Sequence, residues 1–404
     1  MNVLMAWELG AGLAHAVVLH LTGQELTSRG HAVSYALRNT ETAKTLHFDE
    51  NTAVYQAPVM GVVRPDQSAA YDYADLLLVR AYEDLKRLQS RIDGWMAIYE
   101  QTKPDLVVTD HAPCARLACH IAGITSHMVG NGFAVPPWSK PLHPFQHEPG
   151  RHPARQQTYE NRLDRAINKV LALNHKPPVA RAIDIFLGGH RSITMFEELD
   201  NYGGRPDDSF CGPVMQLPGG AVPHWPADST IRVFIYLYAD APVLPAVLNV
   251  LNDMGASSLV YAGGTVSDQT VKTAGPLAQF SEVPVDLAHL KSAGCNLVVC
   301  QGGASTVVSA LLQGIPVMTY PRHVEQGMLC KRLEQANLSR TIRREESGEI
   351  TARTIRETVL SLLEGKPVRA AAQAFAKKYQ AHEINQGTKF IADEIEQNHR
   401  VKSV

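Results

Sequence analysis

Two glycine-bearing turns carry residue types from which chemistry can be built. The first is Gly10-Ala11-Gly12-Leu13-Ala14-His15, a tight turn opening a helix with an imidazole at its mouth. Partial positive charge at a helix N-terminus favours neutral imidazole, which suits a general base near neutral pH. A histidine simply packed at a turn is the plain alternative. As a dinucleotide fingerprint the cluster fails twice: His15 stands where the third glycine belongs, and the next strand ends in Arg38-Asn39 with no acid for a ribose hydroxyl. The second turn, Gln301-Gly302-Gly303, follows an apolar strand and opens a helix with Ser305 and Thr306 in its first turn. Paired glycines let a phosphate approach the backbone, and the helix start offers unpaired N–H groups and hydroxyls. It lacks the lysine of a P-loop, which disfavours direct ATP hydrolysis; a structural strand-to-helix turn is the alternative. Glu325-Gln326 opens another helix after the next strand, at the same sheet edge. An acid and an amide there suit sugar hydroxyls, or else a solvated helix start.

The elements that must position these residues follow from periodicity. Asn2–Trp7 reads as a strand, His15–Arg29 as a helix closed by Gly30, and Ala32–Leu37 as a strand, which makes one βαβ unit. Ala74, Leu78, Ala81, Leu85, Leu88, Ile92 and Trp95 keep a 4-3-4-3 rhythm that predicts one long helix packed on the sheet. Strand Asp105–Thr109, helix Pro113–Ala122 and strand Ile124–Val129 follow, then a loop over 131–157 rich in Pro, His and Gly. Pro213–Asp228 reads as a linker. Beyond it run strand Arg232–Tyr238, helix Pro242–Met254, strand Ser257–Ala262, helix Val285–Ser292, strand Cys295–Cys300, helix Gly302–Gln313 and strand Ile315–Tyr320. Helices His323–Ala336 and Thr351–Leu363 end the series. Strands alternating with helices in both halves predict two doubly wound parallel sheets, whose ligands lie at the C-terminal strand ends and by default in the interdomain cleft.

Length and composition bound the rest. A chain of 404 residues, 45% apolar and 19% charged, buries sizeable cores and suggests two or three domains. Its 38 Lys and Arg against 40 Asp and Glu argue against a protein built chiefly to neutralise nucleic-acid phosphates. Arg151, Arg155, Arg162 and Arg165 could line a local basic groove for a single strand, but they alternate with acids and read as a solvated face. No apolar run reaches the roughly 18–20 residues of a membrane span. The start MNVLMAWELG lacks a basic n-region, and the six scattered cysteines fit neither a zinc site nor a disulfide framework. A reduced, cytoplasmic protein is the expectation. His143, His147 and His152 in the 131–157 loop fit no rigid metal spacing. Trp138, Phe133, Phe145 and Trp95 could stack on a flat acceptor or a nucleobase, though core packing is the preferred reading.

The run VPVDLAHLKSAGCNLVVCQGGASTVVSALLQGIPVMTYPRHVEQ resembles the donor-binding signature of GT-B nucleotide-sugar glycosyltransferases of the macrolide and UDP-glucuronosyl/glucosyl transferase type. The GxG…His start, PDLVVTDHAPCARLACHIAGI and ELDNYGGRPDDSFCGPV are similar to the same family's other segments. The resemblance implies an α/β GT-B fold, two Rossmann-like doubly wound domains facing across a cleft. These would be an acceptor-binding domain at 1–213, a linker at 214–228 and a donor-binding domain at 229–404, with return of the last helix to the first domain left open. It further implies His15 as the base taking the acceptor proton and Asp110 as the acid orienting it. Gly302, Gly303, Ser305 and Thr306 would hold the diphosphate, Glu325 and Gln326 the transferred sugar, and backbone at Val285 the nucleobase, with Gly12 also among the donor-binding residues. Gln301 replaces the family's donor-loop histidine and Ser309 its ribose-gripping glutamate, so UDP- and dTDP-sugars both stay open.

The implied activity is inverting transfer of a hexosyl group to a small-molecule or modified-base acceptor, without metal or cofactor, by a monomer or homodimer. A non-catalytic sugar-nucleotide binder that activates a partner transferase is one alternative, and a sugar-nucleotide 2-epimerase another.

Overall fold

The computed structural model describes residues 1–10, 12–59, 70–145, 153–205, 209–215, 220–345, 348–383 and 385–400. The chain forms two compact units, Met1–Gln216 with Glu383–Val404, and Leu217–His382.

In the first unit the strands are β1 Asn2–Trp7, β2 Ala32–Leu37, β3 Val54–Gln56, β4 Leu106–Asp110, β5 Thr125–Gly130 and β6 His190–Ile193. They form one sheet in the order β3-β2-β1-β4-β5-β6, every pair parallel. The second unit repeats the plan with β7 Arg232–Tyr238, β8 Ser257–Gly263, β9 Ala278–Ser281, β10 Leu297–Cys300, β11 Val317–Thr319 and β12 Ser339–Thr341. Its order is β12-β11-β10-β7-β8-β9, again all parallel. Parallel strands need crossover helices, which cover both faces and make the central strands continuous apolar runs such as VLMAW and LVVC. This doubled Rossmann-like architecture is the GT-B fold expected from the sequence. In each sheet the strand order reverses once beside the first strand, between β1 and β4 and between β7 and β10. Ligands in such sheets bind at that crevice, off the carboxyl ends of the strands.

The predicted single helix over 74–95 is two, Tyr73–Val79 and Leu85–Thr102. The first ends in a turn with Ala81 at φ +62°, and each begins at its own aspartate cap: Asp72 accepts from Asp75 N–H at 2.9 Å, and Asp84 from Arg87 N–H at 3.1 Å. The apolar rhythm records which residues face the core, and two helices can share one core face. The predicted helix Val285–Ser292 is a single turn of 3₁₀ helix, Leu287–His289. Its first residues are extended because they pair with the chain at Ala221, whose N–H donates to Pro284 O and whose carbonyl accepts from Asp286 N–H, both at 2.9 Å. Gly220 permits that approach, since a Cβ there would meet Val285 C at 2.7 Å. The predicted loop over 131–157 ends earlier, in a helix from Pro153 to Leu173 whose proline occupies a position tolerant of it.

Glu8 joins three elements of the first unit. It leaves β1 into the interior, 2% exposed, and accepts from Cys114 N–H and Ala115 N–H at 2.8 Å each and from Trp95 Nε1. It thereby caps helix Pro113–Ala122, which has no side-chain cap of its own. Burial pushes its carboxyl up to about 7, opposed by the two backbone donors, the Arg91 charge and Trp95.

Glu8→Gln is expected to cost about 1–3 kcal/mol, because an amide nitrogen must then face a donor that a carboxyl oxygen satisfied. The wild-type carboxyl binds its proton more tightly folded than unfolded. That part of its contribution is complete at low pH and is lost as pH rises from the ordinary carboxyl range through about 7. The stability gap between the two proteins should therefore narrow from about pH 5 to about pH 8. Urea midpoints at the two values check this; a gap that widens contradicts it.

Candidate functional site

At the first switch point β1 and β4 end side by side, with Trp7 level with Asp110. The chain leaving β1 turns through Gly10 and Gly12, both at positive φ, into helix Ala14–Ser28, whose second residue is His15. His15 Nδ1 lies 2.8 Å from Asp110 Oδ1, so the carboxylate holds the ring with Nδ1 protonated and Nε2 as the basic nitrogen. The Trp7 ring stacks on the imidazole at 5.6 Å and 27°. Trp7 Nε1 donates to Leu9 O at 2.6 Å, and Leu9 N–H donates to His111 O at 3.0 Å, which ties the two strand exits together. Two glycines make the close packing possible. A Cβ on Gly10 would overlap His15 Nε2, and one on Gly130, at φ +141°, would sit 2.9 Å from Asp110 Oδ1. Gly12 has open space where its Cβ would be.

The second switch point is built from backbone. β10 ends level with Tyr236 of β7 and runs through Gln301, Gly302 and Gly303 into helix Ala304–Leu311. Gly303 is the N-cap and has no side chain to satisfy the first N–H groups; nothing lies within 4 Å of where its Cβ would be. Gly302 takes φ +85° with Cys330 Sγ 2.5 Å from its would-be Cβ. Gln301 is buried, and its Nε2 has no hydrogen-bond partner among the described residues. Ser305 is exposed, Thr306 buried, and Ser309 buried one turn further along. Glu325 and Gln326 stand in the first turn of helix Val324–Gln335. Gln326 comes within 4 Å of the Gly302 position, and its Oε1 accepts from Arg322 N–H at 2.8 Å. Val285 is buried, and the bridge to Ala221 uses its neighbours' backbone groups. Gln313 fixes the turn after it, donating to Leu287 O at 2.6 Å and accepting from Lys291 N–H at 2.9 Å. Arg322 grips Asp240 with contacts of 2.6 and 3.1 Å and lies 4.9 Å over the Tyr238 ring, linking the exits of β11 and β7.

Sequence reasoning missed Trp7, Glu8, Gly130 and His111. The available signals were an acid ending an apolar strand before a glycine turn, and a histidine directly after Asp110 at a strand end. Of the candidate stacking aromatics, Trp95 is core and bonded to Glu8, Phe133 and Phe145 are buried, and Trp138 is exposed with Nε1 donating to Asp184 at 2.9 Å. His143 pairs with Ser139 Oγ at 2.8 Å, while His147 and His152 lie outside the described residues. Among the described residues no group of three His, Cys, Asp or Glu could hold a metal ion. None of the described helices is long and apolar enough to cross a membrane. Arg162 is committed to Glu83.

The two doubly wound parallel sheets give the chain a GT-B fold, and solved glycosyltransferases share it. A kitacinnamycin glycosyltransferase superposes with a TM-score of 0.70 over 98% of each chain, at 19% identity. The glycosyltransferase VinC in complex with dTDP does so with a TM-score of 0.65 over 99% of this chain and 100% of its own, at 17% identity. A PGL/p-HBAD biosynthesis glycosyltransferase of Mycobacterium tuberculosis is 27% identical over 178 residues, 42% of this chain and 39% of the relative. The aligned part thus spans about two fifths of that relative's length. A PGL/p-HBAD biosynthesis rhamnosyltransferase of Mycobacterium bovis is 22% identical over 73% of this chain and 68% of its own. No family model matches the chain.

Gly10→Ala is expected to destabilise the first unit by about 1–3 kcal/mol, through the left-handed backbone and the overlap with His15. It should also push the imidazole away from Asp110. Denaturant midpoints and the chemical shift of the His15 Nδ1 proton check this; an unchanged shift counts against the close packing.

Proposed function

We propose that this protein is an inverting, metal-independent glycosyltransferase that moves a hexosyl group from a UDP- or dTDP-sugar to an acceptor hydroxyl. The observation that carries the reading is the His15 Nδ1 to Asp110 Oδ1 pair, 2.8 Å apart at a topological switch point. An imidazole held by a buried carboxylate keeps one tautomer and gains a counter-charge on protonation. The likeness to solved glycosyltransferases and the names of the two mycobacterial relatives support the same class. That VinC was solved with dTDP supports a nucleoside diphosphate as leaving group.

In the proposed reaction the acceptor oxygen attacks the anomeric carbon as the bond from that carbon to the diphosphate breaks. The acceptor proton passes to His15 Nε2, and the bonding electron pair leaves with the diphosphate. Asp110 stabilises the imidazolium that forms. The developing charge on the diphosphate meets the N–H groups at the start of helix Ala304–Leu311, the amide of Gln301 and the hydroxyls of Ser305 and Thr306. This donor role also suits Gln301 Nε2, which has no hydrogen-bond partner among the described residues. Glu325 and Gln326 take the sugar, backbone at Val285 takes the base, and Ser309 leaves room for ribose or deoxyribose. Fixed dipoles supply the electrostatic stabilisation, so EDTA should leave the rate unchanged.

His15→Ala is expected to lower kcat by roughly 10²–10⁴, the usual worth of a positioned base, with donor affinity nearly unchanged. Asp110→Asn should act in the same direction but less severely, because an amide no longer fixes the tautomer. Gly303→Val should weaken the donor first. Turnover and nucleotide-sugar binding measured for all three variants separate the roles. If His15→Ala loses donor binding as fully as Gly303→Val, the division of labour is wrong; if no nucleotide sugar binds or turns over, so is the reading.

A further inference from the structure

His111 directly follows Asp110, and its side chain is buried. Its backbone stands at φ +45°, a left-handed conformation that costs a non-glycine residue energy and clusters at functional sites. Its carbonyl is committed to Leu9 N–H at 3.0 Å. The imidazole lies 5.9 Å from the His15 ring, tilted by 46°, with Tyr73 at 6.3 Å and Phe133 edge-on at 6.0 Å. In this setting Nε2 has no hydrogen-bond partner among the described residues, although buried polar atoms are almost always partnered. Burial, then the charges of His15, Arg80 and Arg38, holds its pKa well below the ordinary histidine value. The ring is therefore neutral near pH 7 and offers one donor and one acceptor.

We propose that His111 is a second acceptor-binding residue, taking an oxygen next to the hydroxyl that His15 deprotonates, so that the site selects acceptors with two neighbouring oxygen functions. Oxygens on adjacent carbons lie about 2.8 Å apart, a step short enough for one to be offered to each of two rings whose centroids are 5.9 Å apart. A lone hydroxyl engages one ring and leaves the other unsatisfied. This inference rests on the transferase reading and adds the chemical class of its acceptor.

The test uses matched probes, phenol against catechol and cyclohexanol against its vicinal diol, with UDP-glucose and dTDP-glucose as donors. Wild type should favour the diol of each pair by about tenfold or more in kcat/KM, as expected of a site built to hydrogen-bond a second group. His111→Gly suits the left-handed backbone and keeps the fold. It should raise KM for the diols and erase the preference. His111→Asn also tolerates that backbone, keeps a donor and an acceptor, and should restore part of it. Donor binding by direct titration reports that each variant is folded. A preference that survives His111→Gly, or wild type using both members of a pair equally, overturns the inference and leaves the transferase reading standing. Transfer to none of the four probes overturns the acceptor class; if nucleotide sugars also fail to bind, the transferase reading itself falls.

Discussion

The parallel pairing of β1 with β4 governs the first unit. It sets Trp7 level with Asp110, so that both strands release their chains at the same edge and the same height. Every residue near the imidazole depends on that register. His15 arrives on the helix that β1 leads into, Asp110 and His111 at the end of β4, and Gly130 at the end of β5 next door. Glu8 clamps the arrangement from beneath by capping the helix after β4 and bonding to Trp95. A carboxyl so deeply buried is costly to ionise, and its proton affinity rises accordingly. Three donors converge on it because each would otherwise be orphaned in the interior.

The two units share one strand order but place different chemistry at its reversal. In the first, side chains do the work: an imidazole, a carboxylate and a stacked indole, with glycines supplying the clearance. In the second, the reversal leads into a helix start whose cap is glycine, with no side-chain cap and open space where that glycine's Cβ would be. A general base needs a titratable side chain. An anion needs converging donors and a favourable dipole, which peptide groups supply without a formal charge. In the proposed reaction one architecture therefore serves proton transfer at one copy and anion stabilisation at the other.

The end of the chain contributes to the first unit as well. Helix Gln386–Arg400 packs on helix Ala14–Ser28, with Ile391, Ala392 and Ile395 buried in the core that holds Trp7 and Ala16. Arg29 reaches Asp393 at 2.6 Å and His31 reaches Glu396 at 3.0 Å. Solvent-accessible polar contacts of this kind contribute little each, so apolar burial is the larger part of the attachment. The helix that carries His15 is thus covered on its outer side by residues nearly four hundred positions away.

The central strands, the doubled parallel plan and both glycine turns were legible in the residues alone. These are local properties: apolar runs that suit a sheet covered on both faces, and glycines where the chain must turn sharply. His15 and the 301–306 turn were legible because each sits within a few residues of its own turn. The edge strands β3, β6, β9 and β12 were not, since three or four partly polar residues carry no periodic signal. Nor was the break at Ala81, because an apolar rhythm reports the face that is buried and not the hydrogen bonds along the axis. Asp110 was reached through the family resemblance, and the rest of what surrounds the imidazole is set by packing. Asp110 lies 95 positions from His15, and Glu8 caps a helix more than a hundred residues on. Gly10 reads as a turn in the sequence and is clearance for Nε2 in the fold. The orphan nitrogen of His111 exists only once the rings around it have packed. Contacts such as these are set by strand register and crossover, which bring distant residues to one edge, and no local pattern encodes that meeting.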